Sequence, residues 1–415
     1  MATESATPQG EEAARKRSLP KVPTAGRSIG FIIGIIALVF AALYPIFYEK
    51  QLGEMSLPII REWPSVSTGV IMIVFIMMAV GLNIVVGYAG LLDLGYVAFY
   101  AVGAYTAGWL ASGHFQQVNL HVLSSGVGPD LRGIHINMWA VLLIAGCLTA
   151  LAGILIGLPT LRLRGDYLAI VTLGFGEIIP QFVRNADDLG GFNLTAGTFG
   201  INPIDSPGFG QALNDSVGLP VSFQQSFDKI NLFYWSALAL LLITIFCSIR
   251  LRDSRLGRAW IAIREDETAA SAMGVPLMRT KTAAYALGAF FGGVAGAFYA
   301  SFKGGAFPSE FFFNISVFLL CMVILGGMGS VWGVVLAGAI LTYLNQEGLS
   351  NIGSYLNTET PLNFEVAKYQ FGIYGVIIVL MMLFRPVGLI PEGRRKREIE
   401  EADMPTDTLY GERHE

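Results

Sequence analysis

Apolar runs about twenty residues long recur along the whole of this 415-residue chain, and they limit its fold more than any other feature. A helix needs roughly 20 apolar residues to cross about 30 Å of hydrocarbon. Windows of that kind fall at 29–47, 66–86, 91–112, 138–160, 166–183, 231–250, 281–301, 314–331, 332–346 and 369–390. The expected fold class is therefore all-α, a polytopic membrane protein with about ten transmembrane helices. Charged residues make up only 14% of the chain, against about 25% in soluble domains, which excludes most soluble-enzyme readings. The net charge of −4 and the lack of a basic groove give no nucleic acid partner.

The placement of basic residues orients the spans, because positive charge concentrates in cytoplasmic loops. With the N-terminus inside, 20 of the 27 Lys and Arg fall on the inner side, among them Arg15, Lys16, Arg162, Arg252, Arg264 and Arg394. Both termini are then expected in the cytoplasm. Residues 1–28 read as a polar, disordered tail and 391–415 as a second tail, with the transmembrane domain over 29–390. The start of the chain does not resemble a cleavable signal. The polar stretch 184–230 is the largest outer loop, either a small external cap or a plain connector.

Several chemistries find no support. Cys147, Cys247 and Cys321 lie inside apolar runs, where a thiol acts as a small hydrophobe. His114, His121 and His135 share one polar loop and His414 lies in the tail, none with a partner at zinc-ligand spacing, so all read as surface or loop histidines. No catalytic residue, metal site or bound cofactor is expected of this chain. It also lacks the GxxxxGK[ST] phosphate loop.

Small residues at four-residue spacing let helices approach closely in lipid. Gly288, Gly292 and Gly296 fit this pattern, as do Gly329 and Gly333, and all are assigned to helix packing. Ionisable groups within spans are costly and mark function. Asp93 and Asp166 lie near predicted span ends, whereas Glu177 lies deeper, among Gly174, Gly176 and Pro180. This cluster predicts a broken helix or re-entrant turn at 172–180. Glu177 either lines a path or makes a structural pair, for example with Arg184. Candidate path residues are Asn83, Asp93, Tyr96, Tyr105, Thr172 and Glu177, polar or amphipathic positions beside glycines. So few membrane acids argue against a proton- or sodium-coupled secondary transporter.

The segment 252–280 mixes Leu256, Trp260, Ile261, Ile263 and Met273 with Arg258, Arg264, Glu265, Asp266 and Glu267. Asp253 or Ser254 would cap a short helix over 254–274, which Gly274 and Pro276 end. Three successive acids disfavour an anionic lipid surface, so the helix reads as a docking element for a partner protein.

The runs GLNIVVGYAGLLDLGYVAFYAVGAYTAG (81–108), GLPTLRLRGDYLAIVTLGFGEII (157–179), LGRAWIAIREDETAASAMGV (256–275), VILGGMGSVWGVVLAGAIL (323–341) and LFRPVGLIP (383–391) closely resemble the permease subunits of branched-chain amino acid ABC importers, specifically the longer of the two paired permeases. The likeness covers roughly 70–392. It departs at LTAGTFGI (194–201), where the family usually has a GGPNG-like turn, and at NISVF (314–318), where many members carry an acid.

The resemblance implies the ABC importer permease fold and a multi-pass place in a bacterial or archaeal cytoplasmic (inner) membrane. Partners would be a second paralogous permease, two cytoplasmic ATPase subunits that use ATP and Mg, an extracytoplasmic substrate-binding protein, and membrane lipid. Gly257, Arg258, Ala259, Arg264, Glu265, Asp266, Glu267, Ala270 and Gly274 match the family's cytoplasmic-loop motif and would couple the chain to an ATPase. The expected function is half of a translocation path for branched-chain amino acids. The same architecture serving urea or short amides is the alternative, and an ion-coupled transporter or channel is a further one.

Overall fold

The computed structural model describes residues 39–48, 63–122, 131–163, 165–207, 226–359, 366–385 and 387–390. Both expected tails, 1–28 and 391–415, and the centre of the 184–230 loop lie outside these residues.

Helices dominate the described chain. They are α1 (39–47), α2 (Val66–Asn83), α3 (Val97–Leu110), α4 (Met138–Thr160), α5 (Asp166–Asn185), α6 (Ser226–Asp253), α7 (Arg255–Glu265), α8 (Glu267–Ala272), α9 (Leu277–Lys303), α10 (Phe313–Gly326), α11 (Val331–Tyr343), α12 (Leu349–Glu359) and α13 (Gln370–Phe384). Five helical stretches are long and apolar enough to cross a membrane: Val66–Tyr88, Met138–Thr160, Ile230–Asp253, Leu277–Lys303 and Pro308–Gly326. Two more, Val97–Leu110 and Gln370–Phe384, are apolar but shorter. The protein is thus a multi-pass membrane protein.

Helix α9 is central and packs along α4, α3 and α2. Its small residues permit this closeness. Gly288 lies against Val85 and the Gly81 carbonyl, Gly292 against Tyr96, and Gly296 against the Tyr100 carbonyl. Gly293 abuts Thr149 on α4. The turn between α10 and α11 needs Gly327 and Gly329, at φ +104° and +90°. Gly333 packs on the Gly326 carbonyl, drawing those two helices together.

Among the described residues, two complete π-helical segments interrupt the regular helices. Ile84–Tyr88 continues α2, and Leu344–Gly348 joins α11 to α12. The second places Glu347 at the start of α2, where it accepts from Ser65 N (3.1 Å) and Thr68 Oγ1 (2.6 Å). A carboxylate there satisfies donors that the first helical turn leaves unpaired.

Five expectations change. The fold is not purely α, because β1 (Ala111–Ser112), β2 (Asn119–Val122) and β3 (Gly133–Ile136) form a small sheet in the order β1-β3-β2. The predicted break at 172–180 is absent. Helix α5 runs unbroken past Gly174, Gly176 and Pro180, since a continuous helix satisfies more backbone groups than a turn. The helix expected over 254–274 is two, because Asp266 turns extended (φ −152°, ψ 111°) and caps α8 by accepting from Thr268 N and Ala269 N. Finally, the span expected at 91–112 becomes helical only at Val97, and the one expected at 332–346 leads through the second π segment into α12.

Candidate functional site

Three regions carry the polar chemistry. The first is a buried hub around residues 93–97, where the chain enters α3. Asp93 is fully buried and its Oδ1 accepts from Gly95 N at 2.8 Å, while the carboxyl lies beside the Tyr285 hydroxyl. Leu94 N donates to Thr172 Oγ1 (3.1 Å), which itself donates to the Ala169 carbonyl. The Tyr96 hydroxyl donates to the Gly288 carbonyl (2.7 Å), and Val97 N donates to Ser316 Oγ (2.9 Å). One turn thus binds α5, α9 and α10 together. Ser316 escaped the sequence reading because a lone serine in an apolar run carries no signal until its partner is known.

Asn83 is also fully buried. Its Oδ1 accepts from Gly329 N at 2.9 Å, and its amide nitrogen has no partner. Tyr105 packs its ring near Phe311 and its buried hydroxyl is unpartnered. Among the six candidate path residues, Asn83, Asp93, Tyr96 and Thr172 therefore hold neighbouring elements in place, and Tyr105 sits apart.

The second region is the outer face of α5, where Glu177 points away from the chain. Ile170, Gly174, Glu177 and Gln181 lie within about 60° of one another around a 3.6-residue helix, and Glu177 and Gln181 are exposed. A Cβ on Gly174 would meet nothing. The exposed faces of α4 and α13 are apolar by contrast, with Leu143, Leu151 and Leu155 on α4 and Val376, Val379 and Leu383 on α13. The suggested pair between Glu177 and Arg184 does not form, because Arg184 sits over the Phe312 ring, 5.2 Å from its centroid.

The third region is α7–α8, which has two faces. Facing inward, Trp260 is fully buried and its Nε1 donates to the Thr280 carbonyl (2.8 Å). Gly257 sits so close to the Arg252 carbonyl that no side chain fits there. Arg264 Nη1 donates to the Gly87 carbonyl, Glu267 pairs with Lys281, and Ala270 is buried. Ala259 is half-buried. Arg258, Glu265, Asp266 and Gly274 face outward, and Met273 is 85% exposed. A cavity of about 430 Å³ lies beneath α7, bounded by Leu91, Leu168, Arg264, Glu265 and Lys281.

The histidine reading needs correction at one position. His135 is buried on β3, and its Nδ1 bonds Asp205 Oδ2 at 2.8 Å. Register pairs it with His121 on β2, ring centroids 5.1 Å apart. Sequence separation of 70 residues hid the pair. Among the described residues, no group of three or more His, Cys, Asp or Glu side chains is placed to hold a metal.

Comparison with known proteins agrees with this architecture. The family model for the branched-chain amino acid transport system permease component matches residues 66–384. The chain is 36% identical to the high-affinity branched-chain amino acid transport system permease protein LivM of Salmonella typhimurium, over 85% of this chain and 77% of that one. Against LivM of Escherichia coli K12 the identity is 37%, over 81% and 74%. Salmonella typhimurium LivH, a permease protein of the same system, is 31% identical over 42% of this chain and 51% of its own. No solved structure matches.

Proposed function

The chain belongs to the branched-chain amino acid transport permease family, and from that premise we propose that it forms one half of a two-permease path for branched-chain amino acids. The carrying observation is the outer face of α5. Burying a charged side chain in hydrocarbon costs about 3 kcal/mol, so Glu177 with Gln181 suits a wet, protein-covered path better than lipid. The second half would be a paralogous permease presenting its own face to Gly174 and Glu177. The buried hub at Asp93, Tyr96 and Thr172 then serves this path from behind, by fixing where α5 stands.

Two cytoplasmic ATPases using ATP and Mg supply the work, and this chain holds no cofactor of its own. One of them docks on the outward side of α7–α8, through Arg258, Glu265, Asp266 and Met273. An extracytoplasmic binding protein delivers substrate to the opposite end, near the small sheet and the loop after α5. Ten spans with both termini cytoplasmic, in a bacterial or archaeal inner membrane, complete the reading.

The test is reconstitution of the chain with its paralogue, ATPases and binding protein in proteoliposomes. Leucine uptake should require internal ATP and ignore the proton and sodium gradients. Uptake that follows an ion gradient without ATP overturns the reading. Uptake of urea or a short amide in place of leucine overturns the substrate.

A further inference from the structure

The Gly87 carbonyl is an orphan of helix ending. The last carbonyls of a helix lack partners within it, and a cationic side chain can cap them. Arg264, from α7, supplies that cap to the π segment Ile84–Tyr88. The same glycine is pinned on its other side: a side chain there would strike Asn83 Oδ1 and Gly329 N, which are bonded to each other. Gly90, two residues beyond the π segment with φ +69°, lies directly under Arg264, where a Cβ would stand 2.5 Å from Cγ. From there the chain needs only four residues to reach Leu94 and five to reach Gly95. Leu94 bonds Thr172, and Gly95 packs on Gly176, whose Cβ would stand 3.2 Å from the Gly95 Cα. Gly176 is the neighbour of Glu177 on α5.

We propose that Arg264 is a positioning residue, which holds the end of α2 in its π register and thereby sets where residues 89–95 press on α5. A π turn carries one more residue than an α turn. Returning Ile84–Tyr88 to the α register would rotate the helix end by about 100° for that one residue. The Gly87 carbonyl would leave Arg264, and the Asn83–Gly329 contact would loosen. Because the buried Asn83 nitrogen has no partner in the π register, the observed packing leaves one bond to be gained by such a change. Movement of α7 would therefore reach the outer face of α5 through a single guanidinium. The inference rests on the docking role proposed for α7–α8, and goes beyond it by assigning Arg264 to the chain's own interior.

The experiment uses the complete reconstituted transporter carrying Arg264→Ala, with Arg264→Lys beside it. Leucine uptake per ATP hydrolysed should fall roughly tenfold in Arg264→Ala, the scale of losing one charged hydrogen bond, while the ATPases still co-purify. Lysine should restore part of it, since it keeps the charge without the fork. Hydrogen exchange should rise at 84–97, 172–180 and 326–331 together, with 133–136 unchanged. A purely structural role would lower yield without moving uptake per ATP. An unchanged ratio, or exchange confined to α7, overturns the proposal. If Arg264→Ala does not assemble, Arg264→Lys alone decides by the same ratio and exchange pattern. Loss of ATPase co-purification in Arg264→Ala would place Arg264 in docking and also overturn it. Failure of the docking reading shows separately, as an Arg258→Glu transporter that assembles and transports normally.

Discussion

The indole of Trp260 donates to the carbonyl of Thr280, 2.8 Å away, and thereby fastens α7 to the first turn of α9. Trp260 is fully buried, so the bond and the packing act together. Trp260→Ala should lower the stability of the detergent-purified chain by about 3–5 kcal/mol, the range for large-to-small changes in a packed core. Trp260→Phe should lose much less, since it keeps most of the buried ring and forfeits mainly one hydrogen bond. Thermal unfolding of the two variants checks the order, and equal losses would mean that the packing contributes little.

Gly174 separates folding from transport. Nothing lies within 4 Å of a Cβ placed there, and leucine is a better helix former than glycine by roughly 0.7–1 kcal/mol. Gly174→Leu should therefore fold with unchanged or raised thermal stability. In the assembled transporter it should cut leucine uptake sharply, because the bulk projects from the face beside Glu177 toward the proposed partner. Glu177→Leu should behave the same way. Normal uptake by both variants would mean that this face meets lipid rather than a path.

The two faces of α7–α8 should respond differently to substitution. Met273 is 85% exposed and Arg258 is exposed, so Met273→Asp and Arg258→Glu should leave the isolated chain as stable as before. Each should weaken ATPase co-purification by about thirtyfold, as expected for a hot-spot loss of about 2 kcal/mol. Ala270 is buried in the same loop, and Ala270→Asp should instead lower the chain's own stability. A co-purification assay beside a melting curve distinguishes these outcomes.

How legible this was depended on whether the signal was local. Hydropathy marked α2, α4, α6 and α9, because a spanning helix must be apolar along its length whatever it packs against. Glycine spacing pointed to α9 for the same reason. The fate of Pro180 could not be read locally. Glycine and proline weaken a helix in isolation, but α5 leans on Leu94 and Gly95, some 80 residues earlier in the chain. The motif at 257–274 could not separate Arg264 and Glu267, which turn inward, from Arg258 and Glu265, which do not. That distinction lies in contacts with Gly87 and Lys281. Of the candidate path residues, Asp93, Tyr96 and Thr172 meet in the buried hub while Glu177 lies on the outer face of α5, because polarity in an apolar run marks a buried hydrogen bond as readily as a wet surface.

Asp205 supplies the pH dependence. Burial pushes its carboxyl above the ordinary carboxylate range, against the opposing pull of His135 and, more weakly, His121. Its backbone is fixed as well, with Asp205 N donating to the Ala111 carbonyl and Ser301 Oγ to the Asp205 carbonyl. A carboxyl whose folded value lies above its unfolded one binds the proton more tightly in the folded state. Its contribution is then complete below the unfolded value, near pH 3.9, and is lost as pH rises through the raised folded value. Asp205→Asn cannot titrate but keeps a polar partner for His135 Nδ1. The melting temperature of the wild-type chain minus that of Asp205→Asn should therefore fall as pH rises from about 4 to about 7. A difference that climbs over the same range would mean that attraction between ionised Asp205 and protonated His135 outweighs the cost of burying the carboxylate.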